Sequence, residues 1–253
     1  MKILLTGDRG LIGESLYNRL TDQGHDVNGF DIDDNWSMYL DDYEMIIHCA
    51  SKCVIRDVIK NPQQMIDNIK ITYKVMESAR MMKAKVILLS SGRLSYDEKN
   101  PYTVSKKFLE EIAEAYKNCY GVDSIVIRPE TVWGKNDTTR VMALWIKRAK
   151  ENKNLIIYGD KDKELPPIYV EDFVDEFMKL FAHFNKFKNK KPITISGKIM
   201  LAKDVAKTII KTLKSKSKII FKSAELSQPQ KTVRDVNDIR VDNNLKKNLK
   251  VIK

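Results

Sequence analysis

The sequence predicts an α/β fold: a doubly wound parallel sheet with helices on both faces and a small C-terminal α/β substrate-binding lobe. Three observations carry this expectation. Short apolar runs bounded by turns alternate with helix-period segments, a glycine-rich turn joins the first run to the first helix, and the alternation loosens only after Arg128-Pro129. The apolar runs place strands at Ile3 to Thr6, Asp26 to Phe30, Met45 to Cys49, Val86 to Ser90 and Ser124 to Ile127. Helices are expected near Ile12 to Gln23, Pro62 to Lys83 and Tyr102 to Asn118. In the third, Phe108, Leu109, Ile112, Ala113, Ala115 and Tyr116 recur at helical spacing. Beyond Arg128-Pro129 the pattern reads as a helix from Val141 to Glu151, a short strand from Leu155 to Tyr158, a turn at Pro166-Pro167, and a helix from Glu171 to about Phe184. We expect residues 1–134 to form the main α/β domain, and residues 135–253 a small lobe interleaved with the end of the sheet. Disorder is expected only in the last dozen residues.

At 253 residues the chain is long enough to bury a full core. It opens directly on Met1-Lys2-Ile3-Leu4-Leu5-Thr6-Gly7 and has no apolar run long enough for a bilayer, so a cytoplasmic protein without membrane association is expected. Cys49, Cys53 and Cys119 are odd in number and make no disulfide framework; Cys49 and Cys53 read as packing residues, and no metal site is expected. The net charge of +11 invites a nucleic-acid reading, but 19 of the 45 Lys and Arg, against only 5 of the 34 Asp and Glu, lie from His183 onward. That stretch is nearly without aromatic rings to stack on bases, and its lysines recur on amphipathic segments such as Leu201 to Ser215. It reads as a solvated lysine face, with attraction of a phosphate-bearing substrate as the alternative, and not as a nucleic-acid surface.

Thr6-Gly7-Asp8-Arg9-Gly10-Leu11-Ile12-Gly13 follows the first strand and opens the first helix. Glycine is needed there for the tight turn, for close approach of the backbone to a diphosphate and for packing of helix on strand, while the helix amino terminus offers N–H groups and a favourable dipole. With a strand before it and a helix after it, the turn is expected to be the phosphate loop of a Rossmann-type dinucleotide site. Asp31, at the end of the next strand, suits the adenosine ribose hydroxyls and repels a 2′-phosphate, so NAD is favoured over NADP; Asp33 and Asp34 add negative charge, and Arg9 is the opposing feature.

Tyr102-Thr103-Val104-Ser105-Lys106 places a phenol and an ammonium one helical turn apart. A phenol with an ordinary pKa of about 10 is a poor base at neutral pH; a neighbouring cation stabilises its phenolate. Ser91, at a strand end, is positioned to share a hydrogen bond with a substrate oxygen as its charge changes.

Together these residues resemble the extended short-chain dehydrogenase/reductase family, in particular the NAD-dependent sugar-nucleotide epimerase/dehydratase group. The likeness runs through the glycine loop, Ile46-Ile47-His48-Cys49-Ala50-Ser51, Ile55-Arg56-Asp57, Asn61-Pro62 to Asn68, and Leu89-Ser90-Ser91. It continues through Tyr102 and Lys106, Ile127-Arg128-Pro129 to Trp133-Gly134, Tyr158-Gly159-Asp160, and Ile168-Tyr169-Val170-Glu171-Asp172. The resemblance implies Ser91, Tyr102 and Lys106 as catalytic residues. It implies a cofactor site of Gly7, Arg9, Gly10, Leu11, Ile12, Asp31, Ile32, Ala50, Ser51, Lys52, Asn68, Tyr102, Lys106 and Pro129, with Asn68 a helix-borne polar group close by. Substrate is expected against Ser91, Gly92, Arg93, Thr131 and Arg234, and a homodimer through the helices Pro62 to Lys83 and Tyr102 to Asn118.

The sequence departs from the group in instructive places. Dehydratases carry an acid or an acid-base pair just after the catalytic Ser or Thr, where this chain has Gly92 and Arg93, which argues against dehydration. The family asparagine after the Arg-Pro step corresponds to Thr131, and the arginine that commonly grips the substrate diphosphate corresponds to Leu165; Lys161, Lys163 and Arg234 are candidate replacements. Short connections from Asp31 to Met45 and from Ser91 to Tyr102 suggest a more open cleft. The reading is an NAD-dependent 4-epimerase of a nucleotide-linked sugar. The alternatives are an NAD(P)-dependent reductase or dehydrogenase of a keto sugar or other small alcohol, and, in another class, a cofactor-sensing protein without the reaction.

Overall fold

A computed structural model describes residues 1–31, 34, 42–96, 99–225, 238–242 and 244–251. Strand β1 (Lys2–Thr6) is apolar on both faces and runs through the middle of a seven-stranded parallel sheet. Its neighbours are β2 (Asp26–Phe30) on one side and β3 (Met45–His48) on the other, followed by β4 (Lys85–Leu89), β5 (Ser124–Pro129), β9 (Ile193–Gly197) and β11 (Asp238–Val241). The order β2-β1-β3-β4-β5-β9-β11 makes the chain reverse direction at β1, and the crevice between the carboxyl ends of β1 and β3 is where such sheets bind ligands.

Alternation along the strands sorts the core into two layers. Ile3, Leu5, Ile47, Ile87 and Ile127 face α1 (Leu11–Asp22) and α6 (Val170–Ala182), whose Leu16, Leu20, Phe173 and Phe177 are fully buried. Leu4, Ile46, Val86, Leu88 and Val126 face α3 (Gln63–Met82) and α4 (Pro101–Tyr120), which contribute Val75, Met76, Leu109 and Ala113. The remaining elements, α2 (Ile55–Lys60), β6 (Thr131–Trp133), α5 (Val141–Lys150), β7 (Leu155–Tyr158), β8 (Pro167–Tyr169), α7 (Phe184–Phe187), α8 (Ala202–Thr212), β10 (Ile219–Lys222) and α9 (Leu245–Val251), complete the chain. Two small parallel pairs, β6 with β8 and β7 with β10, build the lobe around Trp133, Met142, Trp145, Leu155 and Ile209. No helix among the described residues is long and apolar enough to cross a membrane.

The five expected sheet strands and the helices α1, α3, α4, α5 and α6 lie where the periodicity puts them, to within a residue or two. Helix α8 also matches: it buries Val205, Ala206 and Ile209 and leaves Lys207 and Lys211 in solvent. Two expectations are corrected. Pro167 starts β8 and is not simply a turn, which a strand's first residue permits because its missing N–H falls outside the ladder. Within the last dozen residues, α9 is folded, with Leu245 and Leu249 one turn apart and both buried in the lobe core.

A part-buried polar knot ties α4 to the sheet. Arg128 on β5 donates from Nε and Nη2 to the two oxygens of Glu110, at 2.8 and 2.7 Å, and Ser90 Oγ donates to the same carboxylate at 2.5 Å. Removing one partner strands the other's charge, so Glu110→Ala is expected to cost roughly 3–5 kcal/mol in chemical denaturation, well beyond the loss for an exposed glutamate.

Candidate active site

A cleft of about 1080 Å³ opens at the carboxyl ends of β1, β3, β4 and β5 and is walled on its far side by α5 and the lobe. The glycine loop forms one end. Gly7 has φ +76°, and a Cβ there would stand 2.6 Å from the Ala50 nitrogen; a Cβ on Gly13 would stand 1.9 Å from the Gly7 oxygen. Loop, β3 end and α1 therefore touch backbone to backbone. Gly10 occupies the N-cap of α1 in extended conformation and no side chain caps the helix. The first turn thus presents N–H groups toward the cleft, a cradle that fits a dinucleotide diphosphate.

Beside this cradle the Asp8 carboxylate lies over Gly29 of β2, where a Cβ would meet its Oδ2 at 2.2 Å. Burial, then the charge of Asp31, raises the Asp8 pKa above the usual carboxylate range. Arg9 bridges Asp31 (3.5 Å) and Asp34 (2.9 Å), and the Asp31 N–H donates to Asp34 at 2.6 Å. Three carboxylates against one guanidinium make this end of the cleft unfavourable for a further phosphate.

Behind the wall, Thr6 Oγ1 and Thr72 Oγ1 hold the two nitrogens of His48 at 2.8 and 3.1 Å; burial, then the Lys106 charge, lowers the imidazole to about 3, so it stays neutral. Asn68 is buried and not a helix-surface amide. It accepts from the Lys52 N–H (2.7 Å), donates to the Lys52 oxygen (3.1 Å) and reaches Ser105 Oγ on α4 (3.4 Å). Asn68 and Lys52 therefore brace the wall, while Ala50 and Ser51 line the cleft itself.

Helix α4 begins where the chemistry requires. Asn100 caps it, exchanging hydrogen bonds with Thr103 in a capping box, and Pro101 occupies the first turn. This start fixes Tyr102 at the cleft floor, with Lys106 one turn behind; they are only 7% and 5% exposed. Lys106 Nζ donates to the Leu89 carbonyl at 2.9 Å and lies 6.0 Å from the Tyr102 ring centre. Burial lowers the ammonium to about 8, with Cys53, Cys49 and Glu110 opposing the shift. Burial pushes the phenol up to about 12, helped by Cys53 and countered by a hydrogen bond with Ser91 and by Arg140 and Arg93. Ser91 Oγ also accepts from the Arg93 N–H at 3.2 Å. The structure thus brings Ser91, Tyr102 and Lys106 together on the same cleft as Gly7, Gly10, Leu11, Ile12, Asp31 and Pro129.

Arg93 and Thr131 line the cleft, Gly92 sits just behind its surface, and Ile32 and Arg234 lie outside the described residues. Leu165 lines it too. Of the two described replacement cations, Lys163 lines the cleft with Nζ donating to the Tyr158 oxygen at 2.7 Å, whereas Lys161 stands over the Phe221 ring. Sequence reasoning missed Arg140 and Glu130. Arg140 precedes α5; its N–H donates to Asp137 Oδ1 at 3.3 Å, and its Nη2 reaches Cys53 Sγ at 3.7 Å. Cys53 is therefore an exposed cleft residue and not a packing one. An aspartate three residues before a helix-starting arginine was the available signal. Glu130 follows the Arg-Pro step at the end of β5, a strand end that faces the cleft in this fold.

This geometry has relatives. The chain is 26% identical over 213 residues, 67% of its length and 70% of the relative's, to a putative UDP-glucose 4-epimerase of Methanocaldococcus jannaschii. It is 26% identical over 235 residues, 71% of its length and 68% of the relative's, to a probable UDP-glucuronate 4-epimerase of Rhizobium meliloti. The crystal structure of UDP-glucuronic acid 4-epimerase from Bacillus cereus, in complex with UDP-glucuronic acid and NAD, superposes with a TM-score of 0.86 at 20% identity, covering 99% of this chain and 97% of that one. The glycine cradle, the strand-end serine and the tyrosine-lysine turn all fall in the segment from residue 3 to residue 196 that fits the model of the NAD dependent epimerase/dehydratase family, and the chain belongs to that family.

Proposed function

We propose that the chain interconverts the C4 epimers of a nucleotide-linked hexose, using NAD held in the cleft. The observation that carries this reading is the buried Ser91-Tyr102-Lys106 group facing the space shared with the glycine cradle and Asp31. Gly7, Arg9, Gly10, Leu11 and Ile12 would hold the cofactor diphosphate and Asp31 with Ile32 its adenosine ribose; Ala50, Ser51 and Pro129 line its path, and Lys52 and Asn68 fix the wall beside it. Bound NAD supplies a hydride acceptor that returns what it takes. Tyr102 Oη removes the proton of the hydroxyl being oxidised and later restores it. Ser91 Oγ hydrogen-bonds that oxygen, and Lys106 offsets the phenolate charge. Arg140, with Arg93 and Thr131, faces the sugar nucleotide, Arg140 supplies the cation absent at Leu165, and Arg234 stays a candidate from the sequence alone. The acidic cluster around Asp31 supports NAD over NADP.

We further infer a cytoplasmic homodimer, since Ile66, Tyr73 and Met81 on α3 and Val104 and Tyr120 on α4 are exposed apolar groups on neighbouring helices. Residues 1–134 would serve as the cofactor domain and residues 135–253 as the substrate lobe. The test is mass spectrometry of the purified protein for retained NAD, then incubation with UDP-glucose and UDP-galactose. Epimer formation without net NADH is expected. A stoichiometric change at the nicotinamide absorbance band identifies a net reductase instead, and absence of both cofactor binding and turnover refutes the proposal.

A further inference from the structure

Gly92 follows Ser91, and the space its side chain would occupy is filled by the residue that follows β5. A Cβ on Gly92 would stand 2.6 Å from Glu130 Cδ, 2.7 Å from its Oε1 and 2.9 Å from its Cγ. The carboxylate of Glu130 therefore lies against the backbone beside Ser91, the serine that hydrogen-bonds Tyr102. It is firmly placed. The Glu130 N–H donates to the Ile195 oxygen at 3.1 Å, its own oxygen accepts from the Val132 N–H at 2.8 Å, and the Tyr96 hydroxyl donates to Oε2 at 3.3 Å. Glu130 and Tyr96 both line the cleft, and Glu130 remains partly exposed there.

We propose that Glu130 reads the reacting sugar: its carboxylate accepts hydrogen bonds from sugar hydroxyls and commits the site to neutral hexoses over hexuronates. This rests on the nucleotide-sugar reading above. A carboxylate is an acceptor only, so it matches hydroxyl donors and opposes a second carboxylate brought by the ligand. Arg140, held by Asp137 and Cys53 before α5, is assigned to the diphosphate. Arg93, which follows Gly92 directly, and Arg140 both act on Tyr102, so removal of the Glu130 charge alone is what separates its part from theirs. The bare backbone at Gly92 is the steric condition for this arrangement.

The experiment compares UDP-glucose with UDP-glucuronate on NAD-loaded protein, by epimerisation rate and, independently, by calorimetric binding. Wild type is expected to favour UDP-glucose about 100-fold, and Glu130→Gln, which keeps the shape and removes the charge, to narrow that ratio about tenfold or more with NAD retention unchanged. Rescue of the ratio by Glu130→Asp would separate charge from packing. If neither sugar is turned over but the binding preference is present and falls in Glu130→Gln, the epimerase reading fails and the assignment of Glu130 stands. Equal or preferred binding of UDP-glucuronate by wild type, or an unchanged ratio in Glu130→Gln, overturns it.

Discussion

Tyr102→Phe lowers kcat by about 10³-fold while the protein keeps its NAD and its thermal stability. The substitution removes one oxygen and leaves the ring that packs at the start of α4, so the fold has no reason to change. What is lost is the group proposed to take the hydroxyl proton. Burial holds the phenol at about 12, so at neutral pH it is protonated until positive charge draws the proton away. Arg140 and Arg93 supply part of that charge, and Lys106 is proposed to add to it. A base that acts ionised becomes more populated as pH rises, so kcat/KM is expected to climb through neutral pH. It levels near the point where Lys106, lowered to about 8, begins to shed its own proton. Steady-state rates of the phenylalanine variant and a wild-type pH profile check both statements; a variant within tenfold of wild type would remove Tyr102 from the chemistry.

Gly13→Ala is expected to abolish cofactor retention, weakening NAD binding by about 100-fold or more, and to lower the melting temperature as well. The added methyl would lie 1.9 Å from the Gly7 oxygen, 2.7 Å from the Gly7 carbon and 3.0 Å from Asp8 Cα. All three are backbone neighbours in the first turn of the loop, so no side chain can swing aside. Helix α1 must withdraw, taking with it the N–H groups that would meet the diphosphate. Gly24→Ala is the control: Gly24 has positive φ, unlike Gly13, but nothing lies within 4 Å of a methyl there. It should cost about 1 kcal/mol of stability with no change in NAD retention, measured by mass spectrometry of the released cofactor.

The sheet was legible because buried parallel strands are apolar on both faces and stand out against amphipathic helices, as Ile46-Ile47 and Val86 to Leu89 do. The glycine loop, Asp31, Ser91, Tyr102 and Lys106 were legible for a different reason: each sits at a strand end or helix start that local spacing reveals. The lobe was harder to read. Strands of three or four residues such as β6, β8 and β10 are too short to carry a period, and β8 begins on a proline pair that reads as a turn. Arg140 and Glu130 escaped because their meaning depends on approaches across long separations, Arg140 to Cys53 and Glu130 to Gly92. The burial of Asn68 escaped likewise, since it joins the Lys52 backbone to Ser105.

The path of the sheet bears on how the molecule is made. After β5 the chain departs to build the lobe and comes back twice, with β9 and then β11, so the outer edge of β5 is sealed only by strands synthesised late. During translation the nascent nucleotide half emerges with that edge unpaired, and a ribosome stalled before Val241 holds a protein one ladder short. The outer edge of the sheet is thus completed only after its centre can already have formed.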